Sequence, residues 1–132
     1  MENIECAVIL IGLALFEYLI FVGLTGAARV KGNVQAPAIS GDIQFERMYR
    51  VQMNTLEQLI IFVPTMLFFT NYWPNQWAIV LGIAFIVGRL LYCRSYVSRP
   101  GSRGPGFVLT FFSNAILLLG SLVGAVLTMT GW

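Results

Sequence analysis

The run "FERMYRVQMNTLEQ", residues 45–58, crowds Glu46, Arg47, Arg50, Gln52, Asn54, Glu57 and Gln58 ahead of the nearly pure hydrocarbon "LIIFVPTMLFF". Residues on a helix advance about 100° each, so Arg47, Arg50, Asn54 and Glu57 share a face roughly 80° wide. Gln58 is adjacent, and Gln52 points elsewhere, towards a neighbouring subunit or headgroups. The stripe extends about 15 Å along the helix. Headgroup anchors and internal salt bridges are one reading of these charges. An anchor, however, gathers basic residues at one depth, whereas this stripe mixes both signs with an amide. Such a mixture suits a zwitterionic ligand with carboxylates and an amine. Arginines fork onto carboxylates, Glu57 accepts from an ammonium, and Asn54 serves either partner. A second stripe, Arg89, Tyr92, Tyr96 and Arg99, adds phenol hydroxyls beside apolar rings, a pattern that an interfacial aromatic belt also produces. Beyond it, in "SRPGSRGPGF", Pro100 and Pro105 break helices and Arg103 sits in the turn.

The elements that carry these stripes are membrane helices. The 132 residues are 58% hydrophobic and 11% charged, and the mean hydropathy is +0.78. About 20 apolar residues span a bilayer. Four segments qualify, with expected helices at about 4–29, 45–72, 76–97 and 106–130. The fold class is therefore all-α, an integral membrane four-helix bundle running up and down, within one domain over 1–132. The acidic flank "MENIEC" lacks the basic region of a signal peptide, so the first helix is expected to stay. Charged residues inside such helices cost at least a few kcal/mol each and are kept where they pair or line a wet cavity.

All eight basic residues fall in two clusters. Arg29, Lys31, Arg47 and Arg50 flank the first connection. Arg89, Arg94, Arg99 and Arg103 lie at the end of the third helix and beyond it. The middle connection "TNYWPNQ" is uncharged. The positive-inside rule places loops 30–44 and 97–106 in the cytoplasm and both termini opposite, beside a belt of Tyr72, Trp73, Trp77 and Trp132. The chain has no histidine, which excludes His-ligated haem, the usual zinc sites and a Ser-His-Asp triad. No metal site and no nucleic-acid partner are expected. Cys6 and Cys93 fall near opposite membrane faces and read as small apolar side chains rather than a disulfide.

The residues of the first stripe resemble the signature E-R-x-x-R-x-Q-x-N-x-x-E of the membrane-associated proteins in eicosanoid and glutathione metabolism (the MAPEG family). These include microsomal glutathione transferases, leukotriene C4 synthase and the 5-lipoxygenase-activating protein. "GRLLYCRSYVSRPGSRGPGF" is similar to the family's second block, and the resemblance covers all four helices. It implies a left-handed four-helix bundle, a homotrimer, and sites at subunit interfaces open to the cytoplasmic leaflet, where glutathione binds bent. Carried over, it implies glutathione contacts at Arg29, Arg50, Gln52, Asn54, Glu57, Tyr92 and Tyr96. Arg103 would be the catalytic arginine that stabilises the thiolate, and Arg47 a core position of the signature. Gln58 stands where some eicosanoid members carry tyrosine. Val30 stands where leukotriene C4 synthase has a second arginine, which argues against leukotriene synthesis.

The implied function is a membrane glutathione transferase that takes glutathione as co-substrate and acts on lipophilic electrophiles or lipid hydroperoxides. The apolar substrate would lie between subunits, against the first and fourth helices, in contact with membrane lipid. Two other readings stand beside it. A non-catalytic lipid-binding member of the family would keep the helices without the chemistry. A small proton-coupled multidrug transporter would use Glu17, the lone acid within the first helix. Glu17 also reads as one half of a buried pair with an arginine, within the subunit or across an interface.

Overall fold

The computed structural model describes residues 2–131; Trp132 of the expected aromatic belt lies outside them. Four long helices form: α1 Glu2–Lys31, α2 Ile43–Tyr72, α3 Asn75–Ser98 and α4 Gly104–Met129. Each contains a window long and apolar enough to cross a membrane. Only Trp73 and Pro74 separate α2 from α3, so the two run antiparallel. A 3-10 turn at Pro100–Ser102 links α3 to α4. The third connection is thus shorter than the expected 97–106 loop. Pro105 does not end a helix but sits in the first turn of α4, where a missing N–H leaves no intrahelical bond unmade. At the other end of the first connection, Asp42 caps α2, its Oδ2 accepting from Phe45 N at 3.0 Å. An N-cap carboxylate satisfies one of the orphan donors of the first turn.

α2 and α3 each pack against all three other helices. The core of the bundle joins Leu10 and Ala14 of α1, Phe62 and Met66 of α2, Phe85 of α3 and Leu117 of α4. Phe62 and Phe85 meet with ring centroids 4.1 Å apart. In contrast, Phe16, Leu19, Ile60, Phe112 and Leu119 face outwards, as helices in a hydrocarbon solvent allow. Lipid tails are as apolar as leucine, so packing and buried polar contacts hold such helices together. Trp73 Nε1 donates to Gly120 O at 2.8 Å. Asn114 Nδ2 donates to Gln58 O at 3.1 Å and to Gln58 Oε1 at 3.0 Å. Ser121 Oγ donates to Thr65 O at 3.3 Å. These three contacts fasten α4 to α2 and its C-terminal cap.

The α3–α4 seam is closed by glycine. A Cβ on Gly106 would lie 2.5 Å from Tyr92 N, and one on Gly88 would lie 2.7 Å from Thr110 Oγ1. Only bare backbone fits at that separation. The approach fixes Tyr92 against the start of α4, a few residues from Arg103.

Candidate functional site

At the charged end of the bundle a cleft of about 610 Å³ opens between α2, α3 and the start of α4. It is lined by Arg50, Asn54, Tyr92, Tyr96, Gly101, Arg103, Gly104 and Phe107. α2 brings Arg50 and Asn54 to one face by their four-residue spacing. α3 brings Tyr92 and Tyr96 by the same spacing, with their rings stacked at 5.5 Å between centroids and 16° between planes. Tyr92 is buried, with 3% of its surface exposed, and Tyr96 is half-buried. Arg50 and Arg103 are exposed.

The 3-10 turn carries Arg103. Its Nη1 donates to Pro100 O at 3.0 Å, and its guanidinium carbon stands 6.0 Å from the centre of the Tyr96 ring. A Cβ added to Gly101 or Gly104, on either side, would meet nothing within 4 Å, so the turn borders open space. Two guanidinium groups, an amide and two phenols therefore converge on one concavity at one end of the bundle. Chemically, it can hold an anion by charge-assisted hydrogen bonds and shield its apolar parts against rings.

Five of the eight residues singled out from sequence line this cleft: Arg50, Asn54, Tyr92, Tyr96 and Arg103. Three do not. Arg29, at the end of α1, donates from Nη1 to Ala38 O at 2.7 Å. It also lies over the Phe45 ring at 4.4 Å. Gln52 is half-buried on another side of α2, and Glu57 is exposed one turn beyond Asn54. Arg47 turns away, its Nη1 donating to Val97 O at 3.1 Å. The four-residue stripe of α2 is thus divided: its middle faces the cleft, and its ends face elsewhere. Gln58, the departure from tyrosine, has its carboxamide oxygen occupied by Asn114.

Sequence reasoning missed Phe107 as a lining group; nothing in its local pattern marks it. It placed Arg89 on the stripe with Tyr92 and Tyr96 without singling it out, whereas the structure encloses it completely. Arg89 Nε donates to Thr110 Oγ1 at 3.0 Å, and its Nη1 donates to Asn54 Oδ1 at 2.7 Å. Glu17 is also enclosed, at 6% exposure, and neither carboxylate oxygen makes a hydrogen bond among the described residues. Among the described residues no arginine forms an ion pair with it. Cys6 and Cys93 are both free thiols.

Fold and cleft together define a four-span helical membrane protein with an arginine-lined polar site at one end. The chain belongs to the MAPEG family, whose pattern matches residues 7–123. It is 38% identical over 101 residues to human microsomal glutathione S-transferase 2, covering 76% of this chain and 67% of that protein. The bovine protein of the same name is 34% identical over 106 residues, 80% of this chain and 70% of the relative. An uncharacterised protein of Synechocystis is 41% identical over 111 residues, 84% of this chain and 81% of its own length.

Proposed function

We propose that this chain is a membrane glutathione transferase, and that the cleft is the part of the glutathione site contributed by one subunit. The observation that carries this reading is the convergence of Arg50, Asn54, Tyr92, Tyr96 and Arg103 on one cleft, in a chain whose relatives include microsomal glutathione S-transferases. Arg50 takes a peptide carboxylate, and the stacked tyrosines line the wall against which the peptide folds. Arg103, exposed on its turn, takes the sulfur. A thiol is a poor nucleophile near neutral pH. A guanidinium beside it favours the thiolate by opposite charge and by donating hydrogen bonds. The thiolate then attacks an electrophilic carbon, forming a C–S bond as the leaving group departs or as a conjugate addition closes. The same thiolate can attack a lipid hydroperoxide, breaking the O–O bond. The alkoxide takes a proton, and the glutathione sulfenic acid condenses with a second glutathione to disulfide and water.

Arg29, Gln52 and Glu57 complete the site from outside this cleft. Arg29 and Gln52 come from a neighbouring subunit in a homotrimer, and Glu57 accepts from the γ-glutamyl ammonium. The apolar outer faces of α1 and α4 bound the groove through which a membrane-dissolved substrate reaches the sulfur. Loops 30–44 and 97–106 face the cytoplasm, where the water-soluble thiol is supplied. The test is equilibrium binding of glutathione to purified protein in detergent, followed by turnover with a panel of lipophilic electrophiles and lipid hydroperoxides. Saturable binding with conjugate formation is expected. Absence of glutathione binding to folded trimer would overturn the reading.

A further inference from the structure

One wall of the cleft is set by a side chain that does not line it. Arg89 is fully enclosed. Besides its bond to Thr110, its Nη1 donates to Asn54 Oδ1 at 2.7 Å and to Thr55 Oγ1 at 3.4 Å. The guanidinium rests over the Tyr92 ring at 4.5 Å. Among the described residues its Nη2 finds no hydrogen-bond partner, so its directional bonds go to Thr55, Thr110 and Asn54. A guanidinium only donates. The atom of Asn54 that it holds must therefore be the carbonyl oxygen; the reversed amide would press an NH2 group against another donor. With the oxygen held, the NH2 is the end of Asn54 left for the cleft. The other polar side chains lining the cleft are Arg50, Tyr92, Tyr96 and Arg103. No carboxylate is among them.

We propose that Arg89 is a positioning residue that locks the Asn54 carboxamide as a hydrogen-bond donor, so that this part of the site selects a carboxylate of the bound peptide and rejects its ammonium. The inference rests on the proposed glutathione site and deepens it. From sequence alone Asn54 could serve either partner, and the buried arginine removes that choice. The ammonium of glutathione is then served outside this cleft.

The test uses Asn54→Asp and Thr110→Val in the full-length protein. Asn54→Asp keeps an oxygen towards Arg89 and replaces the NH2 facing the ligand with a second anionic oxygen. Thr110→Val frees the Arg89 Nε without touching the cleft. Binding is measured for glutathione and for two mono-esters, one blocked at the glycyl carboxylate and one at the γ-glutamyl α-carboxylate. Asn54→Asp should weaken glutathione binding about tenfold or more, since a hydrogen bond to a charged group is replaced by repulsion. One of the two esters should lose most of that penalty, and Thr110→Val should show a smaller loss with the same ester dependence. A general loosening of the bundle would weaken all three ligands alike. Wild-type affinity in Asn54→Asp, or an equal penalty for glutathione and both esters, would overturn the lock while leaving the glutathione site intact. If the wild type binds no glutathione, the proposed function falls, and thermal stability still judges the lock. Asn54→Asp, with a carboxylate against the guanidinium, should then match or exceed wild type, and Asn54→Leu should fall below it. The reverse order would overturn the lock as well.

Discussion

Replacing Gly106 by alanine puts a methyl group into the seam that holds Tyr92 in place. The new Cβ would sit 2.5 Å from Tyr92 N, 2.8 Å from Tyr92 Cα and 2.9 Å from Gly88 O. Ordinary contact begins near 3.4 Å, so the helices must part locally by about 0.9 Å. The obstructing atoms are backbone, and no rotamer change relieves them. Overpacking of this kind costs about 1–3 kcal/mol. Alanine recovers about 0.8–1 kcal/mol of helix propensity over glycine. The net loss relative to wild type should be about 0–2 kcal/mol, and about 1–3 kcal/mol relative to an exposed Gly→Ala control that has the same propensity gain without the clash, seen as a lower apparent Tm in detergent. The clash parts α3 from the start of α4, so Tyr92 and Tyr96 shift relative to Arg103 across the cleft, and glutathione affinity should fall. Gly12→Ala is the control: Gly12 is exposed on α1 with nothing within 4 Å of its Cβ position, and should be neutral or slightly stabilising. A Gly106→Ala protein as stable as that control, with wild-type glutathione affinity, would refute the reasoning.

Arg50→Ala should weaken glutathione binding by about 1.5–3 kcal/mol, the cost of a lost charge-assisted hydrogen bond, or roughly tenfold to hundredfold in Kd, as read by equilibrium dialysis. Asn114→Leu removes the bonds to Gln58 and should cost about 0.6–2 kcal/mol, the range for interhelical polar contacts in membranes, measured by thermal unfolding with glutathione affinity nearly unchanged. Single cysteines placed in loop 30–44 should label from the cytoplasmic side and those in 73–77 from the other; the opposite pattern would invert the topology. Cross-linking in the membrane should give trimers, and a monomer with full glutathione affinity would refute a site shared between subunits.

The helices were legible because four apolar runs of spanning length are separated by turn residues and charge. Their ends were less so. Pro105 reads as a breaker, yet it opens α4, because the first turn of a helix has no use for its N–H. The division of the α2 stripe was not legible either. Angular position alone puts Arg47, Arg50, Asn54 and Glu57 together. Which of them face the cleft depends on α3 and α4, packed against one side only. Arg89 shows the same limit. It lies on the tyrosine face of α3 by periodicity, but its burial is decided by Thr55 and Thr110, acceptors from two other helices. Gln58 reads as part of the polar stripe until Asn114, distant in sequence, claims its oxygen.

The central claim is that the cleft stabilises glutathione as its thiolate through Arg103. The direct measurement is the ultraviolet difference spectrum of glutathione bound to the purified protein, followed across pH in wild type and in Arg103→Ala. Wild type should develop thiolate absorbance well below the pH at which free glutathione ionises. Arg103→Ala should shift that transition upwards and depress turnover, with a smaller effect on affinity. A bound thiol that titrates like free glutathione in the wild type, or an Arg103→Ala protein with unchanged transition and turnover, would contradict the account.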